Sequence, residues 1–204
     1  MKYIVPIFIM CITFSSLARA KDKVVSVQIT TKVQTSNGYK ITQGEGNGFY
    51  VDKRLIATAK HIVEGKETVT VISDGRMMTG FVVYESLLYD IAFIKVYKRG
   101  DPLEFCRDVH VNDEYKLWLT SRGPTRYKRG IVTEFSHFEM RGSTNVNKGD
   151  SGAPALLNKT NCVLGMLIKR DNFTHGSRYT TNINLQNALN DYKKKNNLNM
   201  LKFE

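Results

Sequence analysis

The sequence predicts an all-β protein, built as antiparallel barrels or sandwiches and finished by one C-terminal helix. Three observations carry this prediction. Short runs of apolar and β-branched residues recur along the chain, each closed by a turn signal such as Asp-Gly, Gly or Pro. The first of them, VVSVQITTKV, alternates apolar and polar residues, the period of a strand with one buried face. A clear 3.6-residue period appears only near the C-terminus.

The elements follow in chain order. Residues 1–20, MKYIVPIFIMCITFSSLARA, start with Lys2, continue as an apolar run and close on Ala18-Arg19-Ala20. This small-x-small ending reads as a secretory signal peptide cleaved after Ala20. The run from Tyr3 to Phe14 is too short to span a bilayer, so no transmembrane anchor is expected after cleavage. The protein is expected to be exported, to a periplasm or fully secreted. Strands are then expected over 24–33, 47–52, 54–59, 68–74, 76–85 and 90–96, with Asp74-Gly75 as a hairpin turn. The polar segment 97–113 carries Gly100 and Pro102 and holds a linker at 101–112, which divides the chain into halves at 21–100 and 113–204. The second half has strands at 115–122, 127–136, 153–157, 163–169 and 178–183. Leu185, Ala188, Leu189 and Tyr192 share one face of the terminal helix, with Asn184 as its cap and a fraying polar tail after Lys195.

The 204 residues carry a net charge of +11, which falls to +9 once Lys2 and Arg19 leave with the leader. Such a balance fits a solvated basic surface, or attraction to anionic lipid, cell wall or nucleic acid. Lys193-Lys194-Lys195 sits near the tail, and no aromatic residues interleave the basic ones as a base-stacking platform needs. No nucleic-acid partner is therefore expected. Cys11 belongs to the leader. Cys106 and Cys162 remain, as one disulfide or as two free thiols. No His/Cys spacing resembles a zinc site, and neither metal nor cofactor is expected.

Chemistry concentrates in NVNKGDSGAPALL, residues 145–157, where Ser151 stands between Asp150 and Gly152. A serine hydroxyl needs a base to take its proton, and the base needs a group to orient it. His110, His137 and His175 fall in polar or turn-rich segments. His61 instead follows the apolar strand RLIATA, a place that is rigid yet open to a cleft. Asp90 directly precedes the apolar run IAFIKV, where a carboxylate is costly without a partner.

These stretches resemble the trypsin-like serine proteases. LIATAKHIV is similar to their Thr-Ala-Ala-His motif, DIAFIKV to their Asp-Ile-Ala-Leu strand, and GDSGAP to their Gly-Asp-Ser-Gly-Gly-Pro loop. Lys60 and Ala153 depart from the usual residues. GEGNGFYVD, YKRGIVTEF and NVNKGDSGAPALL look like the bacterial HtrA-type protease domain, with no PDZ domain after the helix. The likeness covers roughly residues 40–190. It implies the chymotrypsin-like fold, two antiparallel six-stranded barrels with a cleft between them. It also implies an exported serine endopeptidase acting on protein or peptide substrates. Ser151 would be the nucleophile, His61 the base and Asp90 its orienting acid. The N–H groups of Gly149 and Ser151 would form the oxyanion hole. Asn145, Ile168, Lys169 and Arg170 would line the substrate pocket. The uncharged Asn145 gives no support to a preference for Lys or Arg.

Two departures matter. Animal relatives start with Ile-Val-Gly-Gly, whose amino group pairs with the Asp before the serine, whereas KDKVVSV follows the leader here. Asp150 thus lacks that partner, and activity without proteolytic activation is expected. Without a PDZ domain, a monomer is expected. Two alternatives stay open: a catalytically silent binding module on the same fold, and a basic surface-binding protein with a structural Ser-Gly loop.

Overall fold

The computed structural model describes residues 23–35, 38–171 and 176–200. The leader at 1–20, His175 and the last four residues lie outside the described residues. The described chain forms two closed barrels of six antiparallel strands. The first contains β1 (Val24–Thr35), β2 (Gly38–Asp52), β3 (Leu55–Thr58), β4 (Thr68–Ser73), β5 (Arg76–Glu85) and β6 (Ala92–Lys95). They are hydrogen-bonded in the order β1-β2-β3-β6-β5-β4, and β4 closes on β1. The second contains β7 (Glu114–Leu119), β8 (Arg126–Phe135), β9 (Met140–Gly142), β10 (Pro154–Leu157), β11 (Val163–Arg170) and β12 (Ser177–Thr181). Its order is β10-β11-β12-β9-β8-β7, closed by the β7–β10 pairing.

Alternation explains the strands. In β4, Val69 and Val71 point into the core while Thr68 and Thr70 face outward. The β4–β5 hairpin turns on Asp74 and Gly75 at φ 51° and 71°, the positive values that a two-residue loop between Ser73 and Arg76 requires. Two strands depart from expectation. β2 starts at Gly38 rather than Asn47, because its polar first part is held by backbone pairing to β1 and needs no apolar pattern. β9 is a three-residue strand that joins β8 to β12, too short to leave a periodic signature.

The linker is stitched to the second barrel. Phe105 bridges to Val163, and Cys106 forms a disulfide with Cys162.

A short helix, α1 (Lys60–Val63), follows β3, and a long one, α2 (Asn182–Met200), follows β12. The cap of α2 is Thr181, whose hydroxyl accepts the Asn184 N–H at 3.2 Å. Asn184 is therefore inside the first turn, and its side chain donates to the Phe138 carbonyl at 2.9 Å. Leu185, Ala188 and Leu189 are buried in a cluster shared by the two barrels, which holds first-barrel residues such as Phe93 and Ile94 together with Trp118, Leu156, Val163 and Met166 of the second. Tyr192 packs edge-on against Phe93, and the Tyr84 hydroxyl donates to Asp191 at 2.8 Å. The helix thus packs where the two barrels meet and ties the halves together.

Candidate active site

Strand pairing brings His61 and Asp90 together. β3 and β6 are antiparallel neighbours, with Thr58 opposite Ala92. The chain just after Thr58 and the chain just before Ala92 therefore emerge at the same end. Ile62 and Val63 bury one side of α1 and leave His61 on the other. A turn positions Asp90: the Ser86 hydroxyl accepts the N–H groups of Leu88 and Tyr89 at 3.3 and 3.2 Å.

The two carboxylate oxygens of Asp90 hold His61 twice. Oδ1 accepts the His61 backbone N–H at 2.9 Å, and Oδ2 meets Nδ1 at 2.6 Å. A proton on Nδ1 leaves Nε2 facing outward as the free acceptor. The hydrogen bond to Asp90 raises the His61 pKa above its ordinary value, against the lowering effect of partial burial. Burial works to raise the Asp90 pKa, but the His61 side-chain and backbone hydrogen bonds outweigh it and hold the carboxyl below its usual value.

Ser151 lies in the turn between β9 and β10. Its bend needs glycine at two positions. Gly149 has φ +94°. Gly152 has φ +81°, and a Cβ there would lie 1.9 Å from the Asn47 carbonyl oxygen. The turn closes by the Asp150 N–H donating to Asn147 O at 3.0 Å. The N–H groups of Gly149 and Ser151 find no acceptor among the described residues. The Ser151 hydroxyl donates to the Ile168 carbonyl at 3.2 Å. That carbonyl is at a bulge between Leu167 and Lys169, where the β11–β12 register shifts.

His61, Asp90 and Ser151 line one cavity of about 540 Å³, together with Ile168, Lys169 and Arg170. Val146, Asn147 and Lys148 supply the rest of its wall. Asn145 is exposed, one residue outside that wall, and its carbonyl accepts from Lys128 at 3.0 Å. His110 and His137 lie outside this cavity. The described residues contain no group of three side chains suited to a metal. None of their helices is long and apolar enough to cross a membrane.

Sequence reasoning missed two residues that hold this loop. Asn47 of β2 is fully buried. Its Nδ2 donates to the carbonyls of Gly149 and Asp150 at 3.0 and 3.1 Å, and its Oδ1 accepts the N–H groups of Thr120 and Ser121 at 2.8 and 3.0 Å. Its backbone N–H donates to Ser151 O at 2.7 Å. The only hint was a polar residue between glycines in GEGNGF. The second residue is Lys128 of β8, whose ammonium lies 2.8 Å from the buried Asp150 carboxylate. It sits in a strand of mixed basic residues with nothing to distinguish it.

A family model described as "Trypsin-like peptidase domain" matches residues 46–166, a span that holds His61, Asp90 and Ser151. Comparison with curated proteins gives no match.

Proposed function

The chain belongs to the trypsin-like peptidase domain family, and from that premise we propose that it is an exported serine endopeptidase. One observation carries the reading. An imidazole oriented by a carboxylate and a serine flanked by unpaired N–H groups share one cavity. His61 Nε2 takes the Ser151 proton as Oγ attacks the substrate carbonyl carbon. The Gly149 and Ser151 N–H groups receive the negative charge that forms on the carbonyl oxygen. His61 then gives its proton to the leaving amine, and the C–N bond breaks to leave an acyl-enzyme. Water, deprotonated by His61, releases the acyl group and restores the serine. Asp90 stabilises the imidazolium in both halves.

The Ser151 hydroxyl must turn from the Ile168 carbonyl toward His61 for the first step. That contact also favours a second reading, a silent binding module in which the serine stays engaged. Ile168, Lys169 and Arg170 form the wall of the substrate pocket, with Asn145 behind it. Lys148 and Lys169 on the rim favour an acidic side chain over a basic one. The Cys106–Cys162 disulfide supports export through the leader at 1–20, since such bonds persist in oxidising compartments. The enzyme works as a monomer.

Labelling by a fluorophosphonate probe decides between the readings. Wild-type protein labels, and Ser151→Ala and His61→Ala do not. A folded wild-type protein that stays unlabelled overturns the enzyme reading and leaves the binding module.

A further inference from the structure

We propose that Lys128 is the positioning residue that keeps the oxyanion site formed, so that the protein is competent without any cut in its chain. The inference rests on the reading of Ser151 as nucleophile. Asp150 is 2% exposed, and its Oδ2 accepts from both the Lys128 ammonium at 2.8 Å and the Asn147 N–H at 2.9 Å. The same ammonium donates to the Asn145 carbonyl at 3.0 Å. One side chain of the adjoining strand β8 thus fastens the loop before Gly149 and the carboxylate after it.

The physical argument concerns the carboxylate. A buried ion whose partner is removed is strongly disfavoured, so it takes a proton or turns toward water. Turning Asp150 toward water breaks its bond to the Asn147 N–H and loosens the turn that carries the backbone of Gly149 and Ser151. The two unpaired N–H groups diverge when that backbone moves. Lys128 touches no substrate. It acts through Asp150, and its ammonium comes from inside the folded chain, so no newly released amino terminus is needed to neutralise the buried charge.

The test uses fluorophosphonate labelling of the purified protein, with saturation kinetics separating probe binding from the maximal rate of phosphonylation. Lys128→Met lowers the maximal rate by at least about a hundredfold, the scale of losing one oxyanion donor, and changes probe binding by less than about threefold. Lys128→Arg restores the rate to within about tenfold of wild type, because it returns a cation. Should Lys128→Met fail to fold, the Lys128→Met/Asp150→Asn pair replaces it: it buries no lone charge, so it should fold and label within about tenfold of wild type, and a folded pair slowed by about a hundredfold or more overturns the charge argument. A maximal rate for Lys128→Met within threefold of wild type, while Ser151→Ala remains unlabelled, overturns the role of Lys128 and leaves the nucleophile standing. Unlabelled wild type overturns the nucleophile instead. Hydrogen exchange over residues 145–152 then decides for Lys128: faster exchange in Lys128→Met supports it, and unchanged exchange overturns it.

Discussion

At the scale of single residues, the His61–Asp90 pair sets two different pH dependences. On the proposed reading, peptide hydrolysis needs the neutral imidazole, and the Asp90 hydrogen bond raises the His61 pKa. The rate should therefore rise with pH through one ionisation above 6.5, the ordinary histidine value. Asp90→Asn should move that midpoint down and cut the maximal rate by roughly 10³- to 10⁴-fold, read from a pH–rate profile. Stability follows the opposite course. A raised histidine pKa stabilises the fold below about pH 6.5, and this is lost as pH rises through the folded value. A lowered Asp90 pKa stabilises above about pH 3.9, and this is lost as pH falls. The pair therefore supports the fold most between roughly pH 4 and 6.5, below the range where the proposed base would be neutral. Thermal midpoints of wild type and His61→Ala across pH should differ most inside that window. That His61, Asp90 and Ser151 would share one cavity was legible because each carries its local context in the chain. Lys128 and Asn47 were not, because their roles depend on partners that only folding supplies.

At the scale of elements, pattern and pairing divide the fold between them. Strands with one buried face, such as β4, announce themselves by alternation. β9 and the first part of β2 exist because neighbours offer them backbone partners, which no local pattern records. The helix α2 was legible as an amphipathic element through Leu185, Ala188, Leu189 and Tyr192, but not its place in a cluster shared by both barrels. Its cap was displaced to Thr181 because Asn184 spends its side chain on the Phe138 carbonyl. Leu189 is 4% exposed, so Leu189→Ala should lower stability by about 3 kcal/mol in denaturant unfolding. The Cys106–Cys162 bond spans a sequence separation of 56 and should contribute about 4 kcal/mol. Replacing both cysteines by serine should lower the thermal midpoint accordingly and leave the labelling rate within about twofold, since neither lines the cavity.

At the scale of the whole molecule, the site depends on contacts that cross between barrels. His61 and Asp90 belong to the first barrel and Ser151 to the second, and Asn47 joins them through the Gly149 and Asp150 carbonyls. Asn47→Ala leaves buried N–H and C=O groups without partners, each costing about 1–3 kcal/mol. It should destabilise the protein by more than about 2 kcal/mol and slow labelling as well, measured by denaturant unfolding and probe kinetics on the same sample. The placing of α2 has a temporal consequence. Translation proceeds from the amino end, so the first barrel emerges while Leu185, Ala188 and Leu189, which share its core cluster, are still unmade. That cluster also draws on Trp118, Leu156, Val163 and Met166, so it stays incomplete until the second barrel has followed. A chain stopped between the barrels holds His61 and Asp90 but not Ser151, so on the proposed reading it stays inert until the second barrel is made.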